Sequence, residues 1–127
     1  MSQQKDLGFI TMTADAAFPQ FARVILEADG RCVAAGLAQV GDGIAQEASF
    51  AAGDQVAVKI WNSGGTFKMI AEEAVDVGDV LFTAAAGKMQ DTSTTSAFPF
   101  AKCLEAGGAD NDIVECIYVG APVAAVG

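Results

Sequence analysis

Residues 50–60 read FAAGDQVAVKI, and residues 75–85 read VDVGDVLFTAA. In each stretch a Gly-Asp pair, Gly53-Asp54 or Gly78-Asp79, precedes a run whose apolar side chains fall on alternate positions. A period of two is the signature of a strand. Glycine supplies a positive φ and aspartate bonds to nearby backbone, so each pair reads as the turn that delivers the chain into the strand. The competing reading is chemical, with Asp54 and Asp79 as a carboxylate pair for acid–base work or a cation. No other member of a catalytic set accompanies them, and turn chemistry is the stronger reading.

The same alternation recurs along the chain. FARVILEA sets Phe21, Arg23, Ile25 and Glu27 against Val24 and Leu26. QVAVKIW sets Val56, Val58 and Ile60 against Lys59 and Trp61, and DIVECIYV sets Ile113, Ile117 and Val119 against Val114, Cys116 and Tyr118. Alanine is abundant and favours helices, but glycines break the sequence into windows too short for a helix of ordinary length. Short strands between frequent turns predict an all-β fold, a small compact β-barrel or β-tulip-like domain. GIAQEASF (43–50) fits either one helical turn or a strand. DTSTTSAFPF (91–100) reads as a surface loop, and Pro99 argues against a central strand there. Glu47, Phe50, Gly53, Asp54 and Val56 align with Glu72, Val75, Gly78, Asp79 and Leu81, which admits an internal duplication.

Bulk properties narrow the function. A chain of 127 residues suits one domain, and 52% apolar content is enough for it to fold. Residues 1–6 read as a flexible polar N-terminal arm, with 7–127 as a single β domain. Sixteen acids face seven bases, a net charge of −9, and no basic cluster occurs. Nucleic acid and anionic membrane surfaces are therefore not expected partners. No stretch approaches the ~20 apolar residues of a membrane span. Histidine is absent, which removes the usual general base and metal ligand. Cys32, Cys103 and Cys116 lack C-x-x-C spacing, read as reduced, inert core thiols, and form no metal set. No cofactor, metal or catalytic residue is expected, and the chain does not read as an enzyme.

Three weaker motifs remain. Gly41 to Gln46 has the G-x-G-x-x spacing of a dinucleotide loop, but Gln46 stands where a third glycine is needed and no βαβ unit follows. VGDVLFTAAAGKM is similar in shape to biotin- or lipoate-carrier domains, which offer a lysine at a hairpin tip. Here that lysine is Lys88, with Gly87 in place of the expected methionine. Trp61, Phe98 and Phe100 could make an aromatic platform for a sugar, although a lone Trp at a strand end is more often core. The two phenylalanines around Pro99 either fold back onto the core or meet a partner.

Taken in order, Phe21–Leu26, Val33–Gly36, Gly53–Val58, Gly78–Leu81, Ala85–Lys88 and Lys102–Gly107 resemble the small capsid cement (decoration) proteins of tailed bacteriophages. The likeness runs over roughly residues 7–119 and rests on the order and spacing of turn-and-strand phrases. The chain departs from the usual pattern at the Ser/Thr loop before Phe98 and at GGADNDI. The resemblance implies a homotrimer bound to the major capsid protein on the outside of an expanded head, hence a virion protein, with no catalytic residues. Expected contact residues are Gln3, Gln4, Leu7, Phe9 and Ile10, by strand addition to a shell sheet edge, together with Phe98 and Phe100. The alternatives are a carrier domain with Lys88 as attachment site and a head-fibre or tail component.

Overall fold

The computed structural model describes residues 8–120, so Gln3, Gln4 and Leu7 lie outside the described residues. The fold is all-β. β1 (Phe9–Ala14), β2 (Arg23–Leu26), β3 (Arg31–Ala34), β4 (Gly43–Ala45) and β5 (Gln55–Ile60) close a barrel in the order β1-β3-β2-β4-β5. β6 (Thr66–Ile70), β7 (Val80–Thr83), β8 (Met89–Gln90), β9 (Pro99–Cys103) and β10 (Ile113–Tyr118) form a second sheet, β6-β10-β9-β7-β8. Its outer strands meet through one parallel bridge, Ala71 to Met89.

The alternation is realised as read for β5, where Val56 and Val58 are buried and Gln55 is exposed. One open reading is resolved and two details differ. GIAQEASF becomes the short strand β4 followed by a turn. Pro99 opens β9, which is central, between β7 and β10. It is tolerated because it is the first residue of the strand and sits beside a register shift at Leu81/Phe82. In FARVILEA the strand starts only at Arg23, because Phe21 takes a left-handed φ of 68°. Arg23 and Val24 are then both fully buried, so this strand is covered on both faces.

The two sheets are copies of one design, offset by about 57 residues. Leu26 pairs with Cys32 as Thr83 pairs with Met89. Val24 pairs with Gly43 as Leu81 pairs with Ala101. The Ala14 N–H donates to Asp54 O, and the Ala71 N–H to Asp112 O, both at 2.8 Å. The Ala57 N–H donates to the Glu47 carboxylate at 3.0 Å, and the Glu115 N–H to the Glu105 carboxylate at 3.1 Å. The interiors correspond too: Met12, Ala14, Val24, Val56 and Val58 fill the barrel, and Met69, Ala71, Leu81, Val114 and Cys116 the inner face of the second sheet.

The halves are pinned together by Arg23. Its guanidinium lies outside the first barrel and donates to Lys88 O at 2.9 Å and Ala84 O at 2.6 Å in the second half. It also donates to Gln39 O, Val40 O and Gly36 O of the first half's β3–β4 loop. Its Cζ lies 5.7 Å from the centroid of the Phe100 ring. Burial pushes its pKa down to about 10, which leaves it charged at neutral pH. Among the described residues it has no acidic partner, so carbonyl dipoles and a ring face carry the charge. Ile44 and Trp61 of the first half join the second half's core on the same side.

Replacing Arg23 with Met would take the donor from the carbonyls of Gln39, Val40 and Ala84 and one of two donors from those of Gly36 and Lys88. The expected loss is about 3–5 kcal/mol of unfolding free energy in urea titrations. Val80 occupies the equivalent place in the second half but is 53% exposed. Val80→Arg should change stability by no more than about 0.5 kcal/mol.

Candidate functional site

The two Gly-Asp pairs are turns. Asp54 Oδ2 accepts from the Phe50 and Ala51 N–H groups at 2.8 and 3.2 Å, and Asp79 Oδ2 accepts from the Asp76 N–H at 2.9 Å. A further copy, which the sequence alignment missed, lies at Asp112, whose Oδ2 accepts from Gly108 and Ala109. In these turns the residue before the aspartate has a positive φ: Gly53 96°, Gly78 90° and Asn111 71°. Phe21, at φ 68°, fills the same place in a fourth turn, where the Ala22 N–H donates to Pro19 O. Each carboxylate is engaged with the backbone of its own turn.

The other motifs are also structural in their surroundings. A Cβ on Gly43 would lie 2.3 Å from Lys59 O, so this glycine lets β4 approach β5. Lys88 does not stand at an open hairpin tip. Its Nζ lies 2.9 Å from the Asp110 carboxylate, and its carbonyl receives Arg23. The adjoining Gly87 is pressed onto the first half, where a Cβ would lie 2.9 Å from that of Ala22. That geometry does not fit a swinging attachment arm. Cys32, Cys103 and Cys116 are free and buried. Burial raises all three thiol pKa values, that of Cys116 to about 12, which disfavours the reactive thiolate.

The aromatic residues divide. Phe100 is fully buried, which corrects its expected place at an interface: as an inward residue of β9 it has no surface to offer. Trp61 is 8% exposed, stacks on Tyr118 at 4.6 Å and lies 5.0 Å from Phe67, while its indole N–H donates to Gly41 O at 2.9 Å. These two cannot form a sugar platform. Phe98 is half-buried, with its N–H on Thr83 Oγ1 at 2.9 Å. Phe9 is 46% exposed and Ile10 half-buried on β1, which pairs with β5 and β3.

Two open grooves of about 400 Å³ flank the contact between the halves. One is lined by Phe9, Gln20, Phe21, Lys59, Lys68 and Glu115. Lys59 is already engaged there, with Nζ 4.3 Å from the Phe67 centroid and donating to Thr66 O. Asp42, Asn62 and Tyr118 line the other, beside Trp61. In the first groove the Thr66 hydroxyl donates to the Glu115 carboxylate at 2.5 Å, and no cysteine lines either groove.

The surface is more informative. Val80, Leu104 and Val119 are 53%, 40% and 60% exposed on one face of the second half, and Phe50 is 85% exposed on a turn. The sequence carried a signal for this face, because VLFT and IVECIY are apolar in both phases whereas QVAVK is polar in one. On the first half the carboxylates of Asp15, Glu27 and Asp29 lie within 4.8 Å of one another. A hydrogen bond shared with Asp15, then desolvation and the neighbouring charges, raises the Glu27 pKa.

The fold and its surroundings define a duplicated all-β module. No protein-family model matches the chain, and no curated protein matches it. Among solved structures it is similar to the head fibre gp8.5 N base of bacteriophage phi29, at 20% identity and a TM-score of 0.69. The match covers 87% of this chain and 92% of the other, so the two share a fold over nearly their whole lengths.

A raised carboxyl pKa means that the charged form costs folding stability, and the cost disappears as pH falls through the raised value. Glu27→Gln should therefore raise the thermal midpoint at pH 7. The gain should vanish below the ordinary glutamate value of 4.5. The cysteines give a second check. Native protein should react with a thiol reagent only slowly, and all three cysteines should react on unfolding.

Proposed function

We propose that this protein is a structural component of a phage head, a cement or decoration protein that binds the major capsid protein outside the shell as a homotrimer. The observation that carries the reading is the fold shared with the phi29 head-fibre base over 87% of the chain. The cement resemblance of the turn-and-strand phrases supports it independently. So does the acidic surface, which gives the free protein no affinity for packaged DNA.

Cementing follows from multivalency. A packed genome presses outward on a thin shell, and neighbouring shell subunits must not part. A trimer presents each contact in triplicate, so individually weak contacts combine through high effective concentration. The N-terminal arm is the segment assigned to the shell, by strand addition at a sheet edge, with Phe9 and Ile10 at the start of the barrel strand β1 beside it as side-chain contacts. A second reading, the base of a head fibre, is favoured by the phi29 protein with which the fold is shared, itself a head-fibre base.

Cosedimentation with empty expanded heads of its own phage tests attachment. Deleting residues 2–6 should abolish pelleting with heads while leaving the free protein's mass per assembly unchanged. Full occupancy by the truncated protein would reject the arm's role. Heads lacking the protein should burst at lower temperature if it is cement. They should keep their heat resistance and lose only a projection if it is a fibre base.

A further inference from the structure

The duplication shows what covers one face of the module and leaves the equivalent face bare. In the first half the outward residues of β2 and β4, Arg23 and Ile44, are fully buried beneath the second half. They are met there by the β7–β8 hairpin, where the Gly87 N–H donates to Ala35 O at 2.8 Å and the carbonyls of Ala84 and Lys88 receive Arg23. In the second half the same positions on β7 and β9 are Val80 and Lys102, which pair as Arg23 and Ile44 do. Both are exposed. Val119, in the place of buried Trp61, is exposed as well, and Leu104 extends the apolar area.

The docking element is duplicated too. The β2–β3 hairpin around Ala28-Asp29-Gly30 corresponds to the β7–β8 hairpin around Ala85-Ala86-Gly87. One is docked and the other is free. A Cβ on Gly87 would strike Ala22, whereas nothing lies within 4 Å of one on Gly30. Leu26, at the base of the free hairpin, is 49% exposed. The charges are complementary: the free hairpin carries Glu27 and Asp29, with Asp15 beside them paired to Arg31 at 3.7 Å, a net negative set, and the bare face carries Lys102.

We infer that the bare face of the second half binds the free β2–β3 hairpin of another copy, repeating between molecules the contact that joins the halves within one. The face and the hairpin are different surfaces, so the contact is head-to-tail, and it closes into a ring of three where the rotation between neighbours is a third of a turn. This rests on the trimeric reading above. A ring of three copies would alternate first and second halves around its circumference, with every hairpin docked and every face covered.

Sedimentation equilibrium on the full chain tests this. Wild-type protein should have the mass of a trimer. The face variant Val80→Asp/Leu104→Asp and the hairpin variant Ala28→Trp should each be monomeric, with unchanged circular dichroism and a cooperative thermal transition whose midpoint no longer rises with protein concentration. Mixed together they should give a one-to-one dimer and nothing larger, because only one intact face meets one intact hairpin. Lys102→Glu alone should weaken association at least about tenfold, and adding Asp29→Lys in the same chain should restore it. Trimers that survive both blocking variants would overturn the inference and leave the trimeric reading standing. Monomeric wild-type protein at every concentration would overturn both, while attachment to heads is read separately by cosedimentation.

Discussion

One buried cation holds the molecule's two halves in register. Arg23 has no exposed surface and no carboxylate beside it, yet burial lowers its pKa only to about 10 and it remains charged. An unpaired buried charge would ordinarily cost several kcal/mol. Here five carbonyls from two chain segments and a ring face replace the lost water. The planar fork of guanidinium donors suits that task, since one side chain can reach carbonyls lying in several directions. The seam is consequently specific in angle as well as sticky, and the aromatic cluster of Trp61, Phe67 and Phe100 packs where the fork has fixed the geometry.

A duplicated barrel need not use its copies alike. The backbone positions match closely, but seam residues and their counterparts differ in chemistry. Phe100 sits where the first half has Asp42, and Arg23 where the second has Val80. The interior residues keep their character, with Met12 matched by Met69 and Ala14 by Ala71. Core positions need volume and apolarity in any barrel of this size. Outward positions answer to whatever lies against them, so they diverge first and record which faces are covered.

That difference explains what could be read from the amino acids alone. Alternation located β5, β7 and β10, because one phase of each is filled by large apolar residues. The Gly-Asp phrases located two turns, because glycine at a positive φ followed by aspartate is a specific chemical pattern. The other two turns have Phe21 and Asn111 at the left-handed position, and no composition rule equates phenylalanine with glycine. The repeat that was legible, between Glu47–Val56 and Glu72–Leu81, joins two turns of the same shape in different topological places. The true equivalents differ in almost every outward residue. Arg23 was hidden for a related reason: a charged residue in an alternating run reads as solvent-facing, and only tertiary packing shows the solvent side to be covered. Phe100 reads equally well as interface or core until β9 is known to begin at Pro99.

The acid surplus has a physical role in such a surface. A module with one bare apolar face risks clumping face to face, since that contact satisfies the hydrophobic effect without any order. A net charge of −9 opposes all close approaches between copies. In the proposed contact, Lys102 on the face and Asp29 on the hairpin lower that barrier for one mutual orientation, in which opposite charges meet. Repulsion is general and attraction local, and specificity comes from the difference between them.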